Sequence, residues 1–306
     1  MGGCIVVVGS SNTDMILQTD RIPRPGETIL GGEFSMAAGG KGANQAVAAA
    51  RAGGEVAFVA RVGEDMFGEQ AIKGFVQDGI NVDHVIRDKD AASGVALIFV
   101  ARDGENSIGV ASGANAKLLP ADIDNARDVI ASADVLVMQL ETPVETVKAA
   151  AKIASAHGVR VVLNPAPAQP LDDDLLRGVS VLTPNETESE LLTGIKVESD
   201  DQAAEAAKVL RARGIEIVVI TLGPRGVFVA SDGFAGVVPG FKVKSVDTTA
   251  AGDVFNGALG VAFAENRALE DAVRFANAAA ALSVMKLGAQ PSAPSRKDIE
   301  AFLAAH

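Results

Sequence analysis

The segment Asp247-Thr248-Thr249-Ala250-Ala251-Gly252-Asp253 runs directly into a helix-prone stretch over 254–264. Small residues at 250–252 leave the backbone N–H groups of a helix start uncovered. That makes a hole for an anion such as a phosphoryl group in transfer. Asp253 then stands beside the hole, where a general base would be needed. A capped helix with acids in its first turn is the plain alternative, but an N-cap does not require Ala-Ala-Gly in front of it.

Five further segments carry polar residues at turns. In Gly9-Ser10-Ser11-Asn12-Thr13-Asp14, Asn12 and Asp14 could meet a polar ligand beyond the end of a strand. Taken alone, N-x-D there reads as a turn. The dinucleotide fingerprint G-x-G-x-x-G is missing, since only Gly9 fits it. Ala38-Gly39-Gly40-Lys41-Gly42-Ala43-Asn44-Gln45 opens an alanine-rich helix. Its tandem glycines allow close backbone approach, and Lys41 and Asn44 can share a helix face. A Walker A loop would need Gly at 35 and Ser or Thr at 42, where this chain has Ser35 and Gly42. In Leu140-Glu141-Thr142-Pro143, Glu141 reads alone as an exposed acid near a helix start, with Thr142 as the cap. In Thr183-Pro184-Asn185-Glu186-Thr187-Glu188, Asn185 and Glu188 could organise hydrated Mg²⁺ or simply cap a helix. Thr221-Leu222-Gly223-Pro224-Arg225-Gly226 is a turn by composition that could wrap a nucleotide.

These segments need elements to hold them. Short Val/Ile-rich runs at 4–8, 56–61, 134–138, 160–163, 179–182, 216–221 and 226–230 predict buried strands. Amphipathic or small-residue stretches at 42–52, 66–78, 143–157, 201–213, 252–264, 268–285 and 295–304 predict helices. The alternation predicts an α/β fold, a mostly parallel central sheet with helices on both faces. Two segments break the rhythm. Residues 13–37 carry Pro, Gly and short β-like pieces, and 93–111 reads as two strands joined by the turn Arg102-Asp103-Gly104-Glu105. Both are expected in a small protruding sheet, usable as a lid or a dimer contact. No linker or repeat divides the chain, so a single domain over 1–306 is expected.

Composition narrows the function. The 306 residues carry 27 Lys+Arg against 39 Asp+Glu, a net charge of −12, which opposes nucleic-acid binding. With no Tyr or Trp, base-stacking platforms are disfavoured. The single cysteine, Cys4, excludes an intramolecular disulfide, fits a reducing cytoplasm, and reads as a buried strand thiol. His84, His157 and His306 are far apart, which disfavours a zinc site. No apolar stretch is long enough to span a membrane. Met1-Gly2-Gly3-Cys4 faintly suggests lipidation, but Val6 stands where myristoylation wants Ser or Thr.

Together, the six segments in this order resemble the ribokinase (phosphofructokinase-B-type) family of sugar kinases. The family's two signatures correspond to 38–45 and 247–253, and the resemblance runs from Gly9 to about Pro294. It implies a sheet sandwiched by helices, with a β lid that pairs with a second subunit's lid in a homodimer. It implies transfer of phosphate from ATP to the 5-hydroxyl of D-ribose. By motif, Asp253 would be the base, and the N–H groups of Ala250, Ala251 and Gly252 the anion hole. Asn12, Asp14, Gly39, Gly40, Lys41, Asn44 and Glu141 would hold the sugar, beside Asp253. Asn185 and Glu188 would order Mg²⁺ and phosphates through water. Thr221, Gly223 and Gly226 would line the nucleotide, beside Gly252, with Asn277 near the adenine. A monovalent cation site, usually potassium, would fall at Asp247, Thr249, Ser283, Lys286, Gly288 and Ser292, largely through backbone carbonyls. Rival readings are another acceptor (deoxyribose, another pentose, fructose or a nucleoside), a non-catalytic sugar-binding module, and an NAD-dependent oxidoreductase, the last opposed by the absent glycine fingerprint.

Overall fold

Branched apolar side chains pack well on a pleated surface, and alanine-rich runs favour helix. A computed structural model describes residues 3–306, so the Met1-Gly2 part of the lipidation pattern lies outside the described residues. The chain begins with β1 (Cys4–Val8), β2 (Asn12–Thr19), β3 (Glu33–Gly39), α1 (Lys41–Arg51), β4 (Glu55–Gly63), α2 (Met66–Gln77), β5 (Val85–Asp88), β6 (Gly94–Ala101) and β7 (Asn106–Ala111). It continues through α3 (Pro120–Asn125), α4 (Arg127–Ala131), β8 (Val135–Met138), α5 (Val144–Ala156), β9 (Arg160–Leu163), α6 (Asp173–Leu176), β10 (Val181–Leu182) and α7 (Glu186–Thr193). It ends with α8 (Asp200–Ala212), β11 (Ile217–Thr221), β12 (Gly226–Ala230), β13 (Ala235–Pro239), α9 (Ala251–Ala264), α10 (Leu269–Ser283) and α11 (Arg296–Ala305).

Nine strands form the main sheet in the order β13-β12-β11-β10-β9-β8-β1-β4-β5. From β5 to β11 neighbours run parallel, and β12 and β13 add an antiparallel edge. Alternate residues of β1 serve opposite layers. Ile5 and Val7 join a core with α1, α9 and α10, while Val6 and Val8 join one with α3, α5 and α8. The α/β architecture is therefore the one expected.

The boundaries differ where side chains compete with the backbone. The 179–182 strand shrinks to Val181–Leu182, because the Ser180 hydroxyl accepts the Val161 N–H at 3.1 Å. The 268–285 helix stops at Ser283, whose hydroxyl donates back to the Ala280 carbonyl at 2.8 Å. Cys4 is half-buried at the start of β1, not sealed in the core, and burial together with Glu55 and Asp134 raises its thiol pKa. A raised thiol is a weak nucleophile.

The two off-pattern segments do form a separate sheet, in the order β3-β2-β6-β7. Asn12 and Asp14 are the opening residues of β2 and not a turn, since β2 pairs from Asn12 onward with both β3 and β6. The register puts Asn12, Asp14, Ile16, Ile98, Ile108 and Val110 on one face. Met15, Leu17, Phe34, Met36, Leu97 and Phe99 share the opposite face, where Phe34, Met36 and Leu97 are at least half exposed.

In the main body, α1 and α9 lie against each other with almost no space between backbones. A methyl group on Gly257 would lie 2.6 Å from the Gln45 carbonyl oxygen and 2.7 Å from the Ala48 Cβ. Gly257→Ala is therefore expected to lower the unfolding free energy by about 1–2 kcal/mol. Overpacking at ~1–3 kcal/mol outweighs the ~1 kcal/mol that Ala gains over Gly in a helix. Urea denaturation checks this; an unchanged or higher midpoint would refute the tight contact.

Candidate active site

The chemistry-bearing segments gather at the carboxyl ends of the parallel strands, where open α/β sheets bind ligands. Gly9–Asp14 leaves β1, Gln139–Glu141 leaves β8, Asn164 follows β9, and Thr183–Glu188 follows β10. The glycine pair brings β3 back to them. Gly40 has φ +88°, and a Cβ there would lie 2.7 Å from the Asn12 nitrogen, so a side chain is excluded twice over.

Glu141 is not an exposed acid at a capped helix. It is half-buried, and its Oε2 accepts from the Ser10 hydroxyl at 2.5 Å and the Lys41 N–H at 2.9 Å. Thr142 is not the cap either. Pro143 occupies that position with extended backbone, α5 begins one residue later, and the buried Thr142 Oγ1 has no partner among the described residues. Asn12 is oriented by a residue the sequence reading passed over. Asn115 Nδ2 donates to Asn12 Oδ1 at 2.7 Å, while its own Oδ1 accepts the Ser11 N–H at 2.9 Å. Asn115 sits in a short 3₁₀ turn whose composition carries no site signal. Asp14 abuts Gly39, where an added Cβ would lie 2.3 Å from its Oδ2. Asn12 and Glu141 line a cavity of about 460 Å³ with Asn115 and Val110. A larger cavity, about 1070 Å³, lies at the far end of the small sheet around Asp20, Arg21, Leu30 and Arg102, away from the residues that can do chemistry.

Ala250 takes the N-cap of α9 in the left-handed region, φ 59°, with no side-chain cap. That geometry leaves the helix start bare. The Ala251 N–H donates to the Thr248 carbonyl at 3.2 Å, so one of the three expected anion-hole donors is engaged. The N–H groups of Ala250 and Gly252 have no partner among the described residues, and nothing lies within 4 Å of where a Gly252 side chain would be. Asp253, only 6% exposed, accepts from Asn44 Nδ2 at 2.9 Å and from Gln45 Nε2 at 3.0 Å. The Asn44 Oδ1 is buried with no partner among the described residues.

Charge is crowded here. Burial pulls the Lys41 ammonium down, but Asp253, Glu141 and Glu188 outweigh it and leave it raised. Burial pushes Asp253 up, against Lys41 and the Asn44 and Gln45 amides, with Glu141 adding to the push. Burial likewise raises Glu188, opposed by the Asn185 N–H and by Lys41 and aided by Asp253. Asp14 is pushed up to about 6 by burial first and then by Glu141 and Asp253.

On the neighbouring strands, Asn185 and Glu188 form a reciprocal capping box, both bonds 2.8 Å, so the capping alternative describes their geometry. Thr221 bridges Asn185, Gly223 opens the turn after it, and Gly226 pairs with Pro239. Asn277 Nδ2 reaches the Val238 and Pro239 carbonyls at 3.3 Å, which brings it to the same edge. Among the described residues no group of three or more His, Cys, Asp or Glu could hold a metal. Asp247 ties the last cluster together, accepting from Thr249 N–H at 2.9 Å and Gly288 N–H at 2.8 Å. Burial works against its charge, yet those bonds and the Thr249 hydroxyl hold its pKa low. The Val246 and Asp247 N–H groups both reach the Val284 carbonyl, which draws in the turn bearing Ser283 and Lys286. The Lys286 side chain is exposed, and the Ser292 hydroxyl is spent on the Ala289 carbonyl at 2.7 Å. Any cation there would have to be met by backbone carbonyls and Asp247.

Residues 4–296 match the pfkB family carbohydrate kinases. The chain belongs to that family. The kinase is 48% identical to a ribokinase of Haemophilus influenzae over 98% of both chains. It is 38% identical to a deoxyribokinase of Salmonella typhi, again over 98% of both. Its fold superposes on the Arabidopsis thaliana ribokinase complexed with ribose and ATP with a TM-score of 0.92, at 35% identity and 99% coverage of each chain.

The raised Asp14 gives a signed prediction. Its carboxyl holds a proton to about 6 in the fold but only to about 3.8 when unfolded. Ionising it inside the kinase therefore costs stability, from about pH 4 up to a plateau above about pH 6. Asp14→Asn should stabilise the ligand-free protein at pH 7 by about 1–2 kcal/mol, below the ~3 kcal/mol ceiling because the site is partly hydrated. The gain should vanish near pH 4. Thermal unfolding at the two pH values checks it, and an equal effect at both would overturn it.

Proposed function

We propose that this kinase transfers the terminal phosphate of ATP to the 5-hydroxyl of D-ribose, giving ribose 5-phosphate and ADP. The observation that carries the reading is the buried Asp253 carboxylate at the bare start of α9, facing Lys41, Asn44 and the Asp14 end of the small sheet. Asp253 accepts the hydroxyl proton as the oxygen attacks phosphorus, and ADP leaves on the opposite side. The amides of Ala250 and Gly252, with Ala251 once its bond to Thr248 opens, face the charge that builds on the phosphoryl oxygens. Asn12, Asp14, Gly39, Gly40, Lys41 and Glu141 bind the sugar hydroxyls, and the unpartnered Asn44 Oδ1 is a ready acceptor for one of them.

Thr221, Gly223, Gly226 and Asn277 form the nucleotide edge. Asn185 and Glu188 suit a hydrated Mg²⁺, because a buried carboxylate with a raised pKa gains from a nearby cation. Bound Mg²⁺ supplies charge neutralisation on the phosphates. Asp247, Thr249, Ser283, Lys286, Gly288 and Ser292 suit potassium, with Asp247 anionic and the rest contributing carbonyls. The chain works as one domain, and the segments at 13–37 and 93–111 act as a lid. The lid's apolar face, Met15, Leu17, Phe34, Met36, Leu97 and Phe99, is a surface that a second copy of this chain would cover. A cytoplasmic setting fits the single cysteine, and no described helix is long and apolar enough to cross a membrane. The deoxyribokinase similarity makes 2-deoxyribose the second acceptor to test.

ADP release from ATP-Mg²⁺ is the assay, run on ribose, deoxyribose, fructose, xylose and adenosine, with potassium or a large inert cation. Ribose-selective turnover that rises with potassium is expected. Preference for another acceptor would overturn the ribose assignment. Asp253→Asn should cut turnover by ~10²–10⁴-fold with ATP binding kept, and near-normal turnover would remove Asp253 as base. Leu97→Asp should turn dimer into monomer in sedimentation. A wild-type monomer would refute the lid contact.

A further inference from the structure

We propose that Gln45 is a positioning residue for the Asp253 carboxylate, and that Asn164 and Gln139 set which end of its amide faces the acid. Gln45 and Gln139 are fully buried beneath the site. Gln45 meets Asp253 and Gln139 meets Gln45, so each acts through the residue it touches. The inference rests on the reading of Asp253 as the base.

The orientation of the chain follows from one backbone group. The Thr183 carbonyl can only accept, and Asn164 Nδ2 donates to it at 3.0 Å. Asn164 must therefore turn its Oδ1 toward Gln45, which donates to it from Nε2 at 3.3 Å. The same Nε2 donates to Asp253 Oδ1 at 3.0 Å. Gln139 Nε2 closes the far side on Gln45 Oε1 at 2.7 Å. Amide oxygen and nitrogen are distinguished by such networks: the Thr183 carbonyl fixes Asn164, Asn164 and Asp253 fix Gln45, and Gln45 Oε1 in turn draws the Gln139 donor, whose own Oε1 has no partner among the described residues. A reversed Gln45 would set its oxygen against both Asp253 and Asn164, two acceptor-acceptor contacts in a dry interior.

The consequence for Asp253 is directional. Gln45 offers only donors to Oδ1, and Asn44 Nδ2 donates to Oδ2. Both bonds favour the charged acid over the protonated one. They act against burial, which is the largest influence on this carboxyl. The other charged groups facing it are Lys41 at the start of α1, which helps, and Glu141 after β8, Glu188 in α7 and Asp14 in β2, which oppose. Three of four neighbours are acids, so the amides stand in for charge that Lys41 alone does not supply. They also hold the carboxylate in one rotamer, without which a base loses its alignment.

The test uses Gln45→Met, close in volume and without donors, and Gln139→Leu, which leaves the Gln45–Asp253 bond in place but frees Gln45 to turn. The rate is followed from about pH 5 to 9, with melting temperature measured beside it. Gln45→Met should lower kcat by about tenfold, leave KM for ATP within about twofold, and move the acid limb of kcat/KM up by about one pH unit. Gln139→Leu should move the limb in the same direction by less. A loss of activity that tracks the folded fraction, with the limb unmoved, would reduce Gln45 to a structural role and overturn the proposal. If Gln45→Met does not fold, the limb in Gln139→Leu decides alone. Asp253→Asn separates the two readings. If it stays active, the base assignment falls and the inference with it. If it is dead while Gln45→Met keeps the wild-type rate and profile, only the positioning role falls.

Discussion

The close approach of α1 and α9 is the constraint on which the site depends. Both helices start at the carboxyl edge of the sheet, and Gly257 lets their backbones meet where any side chain would hold them apart. Only at that separation do Asn44 and Gln45, adjacent on α1, both reach the Asp253 carboxylate on α9. The two helix starts then point their positive dipole ends into one small volume; the first N–H groups of α1 are taken by Glu141, Ser10 and Gly40, while α9 offers those of Ala250 and Gly252. That volume suits a highly charged anion.

The same volume is crowded with acids. Glu141, Glu188 and Asp253 act on one lysine, Asp14 faces Glu141 and Asp253, and burial raises the pKa of Asp14, Glu188 and Asp253. A chain of net charge −12 must attract an anionic cosubstrate against its own field, so local donors carry the binding. Keeping acids under strain in the free protein is the usual exchange of stability for function at an active site.

The small sheet solves a separate problem. Its period-two alternation gives it two faces, one carrying Asn12 and Asp14 with an isoleucine-rich surface behind them, the other mainly apolar. A slip of one residue in β2 would exchange the faces, turning Asp14 away from the site. Pairing with β3 and β6 over the whole length of β2 guards against that slip.

Strand and helix positions in the main body were legible because hydrophobic periodicity is a local property. The Val-rich β1 and the alanine-rich α1 and α9 need nothing distant to declare themselves. The small-residue run at 250–252 and the glycine pair at 39–40 stood out for the same local reason: the first leaves a helix start without a side-chain cap, and the second permits the φ of +88° at Gly40. The inward turn of Glu141, the role of Asn115 and the amide chain through Gln45, Gln139 and Asn164 could not be read that way. Each depends on residues about 90 to 210 positions apart meeting across strand ends. Glutamine and asparagine carry no periodic signal, and which end of an amide faces an acid is decided only by the neighbours that tertiary packing supplies.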